Sequence, residues 1–265
     1  MCFVFGLILK SLLPLLFVVF GPAIQGKPVL RVLILMAIEV LHLDAACDNS
    51  VHEVLFEKIA NDLLEKGYSI TPTGLPLELV DAIQTDIAQL GHTEFNPAAI
   101  GRHDDTSLNK FVRTDSICWI EGEMPGCAAW NAWMEELKLY LNRRLYLGLF
   151  AFESHVAQYQ PGNFYKRHVD AFKGGNNRVL SVVSYFNSGW NPDDGGELVL
   201  YKDDEDMVGI KVTPAAGTLV IFLSEEFPHE VLPANRTRHS IAGWFRQNPG
   251  SDYLLELPDS AGSPI

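Results

Sequence analysis

The chain has 265 residues, 48% apolar and 11% aromatic, enough to bury a core and too apolar for an intrinsically disordered segment. Its net charge of −13 offers no basic stripe to displace counterions from a duplex, which excludes nucleic acid as a partner. Four cysteines without a C-x-x-C pair are too sparse for a disulfide scaffold and point to reduced thiols in the cytoplasm, with a Cys118–Cys127 bridge as the alternative.

Residues 11–26 carry no charge but include Pro14 and Pro22, and the run is shorter than the roughly 18–20 residues that span a bilayer. Three readings fit this extension: translation starting at Met36, a membrane anchor, or an export signal. Membrane association enters only with the anchor. Residues 36–150 read as a helical support region. "SVHEVLFEKIANDLLEKG" has helical apolar spacing and stops at Gly67, and "YSITPTG" reads as a short strand and turn. "PLELVDAIQTDIAQLG" is a second amphipathic helix with Pro76 near its first turn. "AAWNAWMEELKLYLNRRLYLG", from about 128 to 147, is a third, in which Trp130, Trp133 and Tyr140 read as packing residues.

From 151 to 250 the period changes to two. "FESHVAQY", "NRVLSVVSYFN", "GELVLYK", "GIKVTP", "GTLVIFLS", "HEVLP" and "RHSIAGWFR" read as strands, separated by turns such as "PGN", "DDGG", "PAAG" and "PAN". Short strands at near-regular spacing predict a mainly β core, an antiparallel sandwich or barrel of which the jelly roll is one form. Helices first and strands later argue against a parallel sheet. The acidic runs "NPDDGGE" and "YKDDEDM" read as solvated loops, and 251–265 as a tail.

The chemistry concentrates in "YKRHVDAF". His168 and Asp170 are two residues apart, so on an extended segment both side chains point to one face, where an imidazole and a carboxylate can share a divalent ion. Alone, such a pair is common in solvated turns. Downstream, "FPHEVLPANRTRHSIAGWF" adds His229 and, nine residues on, Arg238 at the start of the next strand. Two histidines and a carboxylate on one side of a metal leave positions open, as in non-haem iron oxygenases. A buried arginine needs an anion, and a planar guanidinium grips a carboxylate through two parallel bonds, which a dicarboxylate cosubstrate would satisfy. Tyr185 could donate to the same carboxylate. His155 reads as a core or edge histidine, His239 as facing away from the metal, and His92 and His103 as lying outside the core. Glu230 is predicted to point away from the ion.

On the motifs "HVAQYQPGNFYKRHVD", "SYFN", "GGELVLY", "GTLVIFLS", "PHEVLPA" and "TRHSIAGWFR", the chain resembles the 2-oxoglutarate- and iron(II)-dependent dioxygenases, and among them the prolyl hydroxylases of the Egl-nine type. Earlier, "IGRHDDTSLNKFVRTDSICWIEG" is similar to the segment preceding the core in bacterial relatives. The resemblance implies a double-stranded β-helix with the N-terminal helices packed on the barrel. It implies iron(II) on His168, Asp170 and His229, and 2-oxoglutarate on Arg238, Tyr185 and Tyr159. Arg178 and Trp244 would lie at the substrate mouth and pocket wall, with dioxygen as second cosubstrate and ascorbate as reductant. The implied reaction is hydroxylation of a prolyl residue in a protein partner, with release of succinate and carbon dioxide. Two other readings stay open: oxidation of another residue or a small molecule, and a cupin-like binder without turnover, which would have no need of Arg238 at its spacing.

Overall fold

Two antiparallel sheets face each other across the core. The computed structural model describes residues 52–91, 94–98, 111–121, 124–171 and 177–248; the apolar extension, Met36, Cys2, Cys47, His92, His103 and the tail lie outside them. In chain order these residues form helix α1 (52–66), β1 (Tyr68–Thr71), α2 (Leu77–Gln89), β2 (Asn96–Pro97), β3 (Ser116–Trp119) and α3 (Pro125–Leu145). The strands β4 (Leu149–Tyr159), β5 (Tyr165–His168), β6 (Arg178–Tyr185), β7 (Leu198–Leu200), β8 (Ile210–Val212), β9 (Leu219–Leu223), β10 (His229–Val231) and β11 (Arg238–Gln247) follow. Residues 58–248 fall in one compact unit, and 52–57 are the opening turns of α1.

The larger sheet runs β1-β9-β6-β11-β4-β3-β2 and the smaller β5-β10-β7-β8, the arrangement of a double-stranded β-helix. The predicted strands from 151 onward all appear. The larger sheet also draws on residues before 150, because β1 pairs with β9 and β3 with β4, so the region 36–150 supplies strands as well as helices. β5, which shows no apolar alternation in "YKRH", completes the smaller sheet by pairing with β10.

The larger sheet is covered on both faces. In β4, His155, Ala157 and Tyr159 share the face toward the smaller sheet, while Phe152, Ser154 and Val156 take the other, as a period of two requires. Inside, Tyr159, Tyr185, Val220 and Phe222 of the larger sheet pack with Leu198, Leu200, Val212 and Val231 of the smaller. Outside, α3 buries Trp130, Met134, Leu137 and Leu141, spaced three or four residues apart. The Trp130 indole N–H donates to Ser154 Oγ at 3.2 Å and its ring packs against Phe152.

α3 begins three residues before the predicted boundary. Pro125 occupies its first turn, where a missing N–H costs nothing, and buried Asp86 of α2 accepts from the Cys127 N–H at 2.7 Å. Gly126 sits where α2 crosses: a Cβ there would lie 2.6 Å from the Ala82 backbone. Gly126→Ala is therefore expected to destabilise the fold by about 1–3 kcal/mol, read as a lowered denaturant midpoint. Cys118 and Cys127 are free thiols, which corrects the alternative of a bridge between them.

Candidate metal centre

β5 ends on His168 and β10 begins on His229, and the two are direct partners in the register of the smaller sheet. Strand pairing thus brings together two imidazoles from distant stretches, their centroids 4.2 Å apart. Asp170 follows β5 by two residues and turns its carboxylate between them: Oδ1 is 3.7 Å from His168 Nε2 and Oδ2 is 3.6 Å from His229 Nε2. One ligand atom from each of the three lies within 4.8 Å of the others.

The hydrogen bonds behind these side chains fix what faces the centre. His168 Nδ1 lies 2.8 Å from the Lys166 carbonyl oxygen and His229 Nδ1 lies 3.1 Å from that of Phe227. A carbonyl only accepts, so each Nδ1 carries a proton and Nε2 is the nitrogen left to face the centre. Asp170 Oδ2 accepts from the Ser181 hydroxyl at 2.6 Å. Tyr165 stacks flat on His168, with centroids at 3.6 Å, and Phe222 meets His229 edge-on. Burial, reinforced by His229, holds the His168 pKa well below the usual imidazole range. Burial alone would raise that of Asp170, but the two imidazoles and Ser181 outweigh it and keep the carboxyl below its ordinary range. The Nε2 atoms of two imidazoles and one carboxylate thus converge, a donor set that fits a divalent cation of the iron class.

The other end of the same cavity, about 210 Å³ in volume, is built around Arg238. Arg238 is 1% exposed, and its guanidinium lies over the rings of Tyr159 and Tyr185, 4.8 and 5.0 Å from their centroids. Nε donates to the Gly196 carbonyl at 2.9 Å and Nη1 to Ser240 Oγ at 3.0 Å. Gly196 must be glycine: its φ is +70° and a Cβ would lie 3.1 Å from the Arg238 side chain. Among the described residues no carboxylate pairs with this cation. The Tyr185 hydroxyl beside it is buried without a hydrogen-bond partner, and burial pushes its pKa up to about 12 despite the neighbouring Arg238. Burial also raises that of Tyr159. A buried cation and an idle hydroxyl call for an anion with acceptor oxygens, and a carboxylate fits both.

Arg178 and Trp244 form a third part of the wall. The Arg178 guanidinium stacks 3.6 Å over the Trp244 ring and donates to Glu153 Oε1 at 3.2 Å, while Arg246 holds Oε2 at 2.7 Å. Half-exposed Trp119, at 51%, marks this end as the open one. All eight residues singled out in the sequence are therefore brought to one cavity or its immediate wall. His239 faces away, bonded to Gln158, and Glu230 accepts from Tyr201 instead of approaching the centre.

Sequence reasoning missed two parts. Arg113 forms a two-bond pair with buried Asp115, at 2.8 and 2.6 Å, and lies over Tyr165, bracing the ring that stacks on His168. His155, read as a core or edge residue, is buried but lines the cavity. Its parity with Tyr159 on β4 was the available signal.

With the geometry in hand, the likeness to known proteins is specific. The model of the 2OG-Fe(II) oxygenase superfamily matches residues 154–246, a span that holds all three converging side chains and Arg238. The crystal structure of a Pseudomonas putida prolyl-4-hydroxylase is 41% identical, covers 74% of this chain and 100% of its own, and superposes with a TM-score of 0.66. A Trichoplax adhaerens prolyl hydroxylase in complex with a hypoxia inducible factor oxygen degradation domain peptide is 28% identical, covering 76% of this chain and 92% of its own, also with a TM-score of 0.66. The mouse prolyl hydroxylase EGLN3 is 34% identical over 145 residues, 51% of this chain; the chain spans 59% of that enzyme's length.

Proposed function

Because the chain belongs to the 2OG-Fe(II) oxygenase superfamily, we propose that it hydroxylates a prolyl residue of a protein, consuming dioxygen and 2-oxoglutarate and releasing succinate and carbon dioxide. One observation carries the reading beyond metal binding: the buried guanidinium of Arg238, without a carboxylate partner among the described residues, at the far end of the cavity from the three converging side chains. A plain cupin-like binder has no use for it.

In this reading His168 and His229, through Nε2, and Asp170, through its carboxylate, hold the ion. When bound, iron(II) would let dioxygen, the oxidant, act on 2-oxoglutarate and the substrate together, so that one oxygen atom ends in succinate and the other replaces a C–H bond by C–OH. The protein's part is positional. The Lys166 and Phe227 carbonyls keep each imidazole in the tautomer that leaves Nε2 bare, and Ser181 aims the carboxylate. Arg238 grips the distal carboxylate of 2-oxoglutarate, Tyr185 donates to it, and the Tyr159 ring packs alongside. Arg178 and Trp244 receive the peptide at the mouth and exclude water. Ascorbate would keep the ion ferrous. The free thiols of Cys118 and Cys127 fit the cytoplasm, and no helix among the described residues is long and apolar enough to cross a membrane.

The test is release of carbon dioxide from labelled 2-oxoglutarate by the iron-loaded protein, followed by mass spectrometry of co-purifying proteins for a proline that has gained one oxygen atom. Release with no oxidised proline assigns the chain to another residue or a small molecule. No release at all leaves a binder. Tyr185→Phe, which removes one hydroxyl and little volume, is expected to raise the KM for 2-oxoglutarate roughly 3- to 10-fold with kcat unchanged, measured in the same assay.

A further inference from the structure

The prolyl reading leaves one buried polar side chain of the cavity without a task. His155 is 3% exposed, lines the cavity, and its Nδ1 has no hydrogen-bond partner among the described residues. Its ring is held between two indoles, edge-on to Trp119 at 5.1 Å and tilted to Trp244 at 5.6 Å. Burial, with the Arg113 cation adding to it, drives its pKa down to about 4, so at neutral pH the ring is uncharged and carries one N–H.

The sheet register says which ligand this imidazole meets. Tyr159 of β4 stands directly opposite Arg238, at the 2-oxoglutarate end, whereas His155 stands opposite Ala242 and Trp119. Four residues of strand separate His155 from Tyr159 on the same face, about 13 Å at some 3.3 Å per residue. A 2-oxoglutarate anchored at Arg238 does not span that distance. His155 therefore lies on the open side, beside half-exposed Trp119 and next to Arg178 and Trp244.

A prolyl target has special needs. Its nitrogen carries no hydrogen, so the backbone there offers carbonyl acceptors and no donor. An enzyme reading that backbone must supply donors, and the His155 ring holds one at the open side of the cavity. Resting on the prolyl reading above, we propose that His155 is a specificity-determining residue that donates a hydrogen bond to a substrate backbone carbonyl flanking the target proline. Its two indole neighbours fix the ring before the peptide arrives, so little freedom is lost on binding.

The test uses the full iron-loaded chain as wild type, His155→Leu and His155→Asn, with tryptic peptides of a whole-cell lysate as the probe. Carbon dioxide release without peptide and the KM for 2-oxoglutarate are expected to stay within about twofold in all three. Oxygen incorporation into prolyl peptides is expected to fall roughly tenfold in His155→Leu and to recover to within about threefold in His155→Asn, whose amide restores an N–H. Equal oxygenation by wild type and His155→Leu overturns the role. So does a parallel loss of peptide-free release, which would place His155 in the cosubstrate pocket. Loss in His155→Leu without recovery in His155→Asn, peptide-free release intact, assigns the effect to ring packing and also overturns it. If the wild type releases carbon dioxide but oxidises no prolyl peptide, the prolyl reading falls first and takes this role with it.

Discussion

Asp170→Ala is expected to cut 2-oxoglutarate turnover by on the order of 10³-fold or more while leaving the metal-free protein about as stable as before. The first half follows from charge. Asp170 is the one anion of the three converging groups, and two neutral imidazoles alone hold a divalent ion poorly. Losing the several kcal/mol that a bound metal ion supplies costs a factor of this size. The second half follows from the metal-free electrostatics. The carboxylate is buried and accepts a hydrogen bond from the Ser181 hydroxyl. Its removal gives up the Ser181 hydrogen bond but also relieves a buried charge, and these effects are of similar size and opposite sign. Thermal melts check both halves together. Added manganese(II), as an inert stand-in, should raise the wild-type melting temperature by binding only the folded state, and should not move that of the variant. A metal-induced shift that survives Asp170→Ala would show that the ion, if it binds, binds elsewhere.

That such a variant can be chosen from the sequence reflects where the signal lies. The long strands β4, β6 and β11 were legible because apolar alternation sustained over eight or more residues matches the two faces of a strand and no helical period. The strands β7, β8 and β10, only three residues each, were legible because Gly, Pro and Asn turns bracket them. β5 was not. "YKRH" has no apolar alternation, with Lys166 exposed and the other three half-buried, and it becomes a strand because β10 offers it a ladder, a contact more than sixty residues away in sequence. β2 and β3 were hidden for the same reason: "SICW" becomes a strand only beside β4. With β3 unseen, neither the Arg113–Asp115 pair nor the Trp119 flank of the cavity could be placed. The three converging side chains were legible because their chemistry is unusual at that spacing. His155 was not, because one histidine on an alternating strand is ordinarily core, and parity alone does not reveal how far a cavity extends.

Arg238 offers the second large effect, and its two consequences run in opposite directions. Arg238→Lys keeps the charge but loses the planar fork, and with it the Nε bond to Gly196 and the Nη1 bond to Ser240 that fix the guanidinium. The KM for 2-oxoglutarate should rise roughly 10- to 50-fold with kcat less affected, since the distal carboxylate is held alike before and during the reaction. Arg238→Met removes the charge while conserving most of the volume, and its KM should rise by about 10²-fold or more, in keeping with the roughly 2–5 kcal/mol cost of truncating one partner of a buried charged pair. Without 2-oxoglutarate, however, the wild-type guanidinium is a buried cation beside two tyrosine rings with no carboxylate partner among the described residues. A hydrophobic side chain of similar shape avoids that desolvation, so Arg238→Met is expected to melt no lower than wild type in the absence of the cosubstrate. Addition of 2-oxoglutarate with manganese(II) should then stabilise the wild type and leave the variant behind. A residue that merely braced the fold would give the reverse: a lower melting temperature and an unchanged KM. Arg238→Met with that pattern would remove the cosubstrate anchor from the mechanism, and with it the ground for separating an oxygenase from a metal-binding barrel.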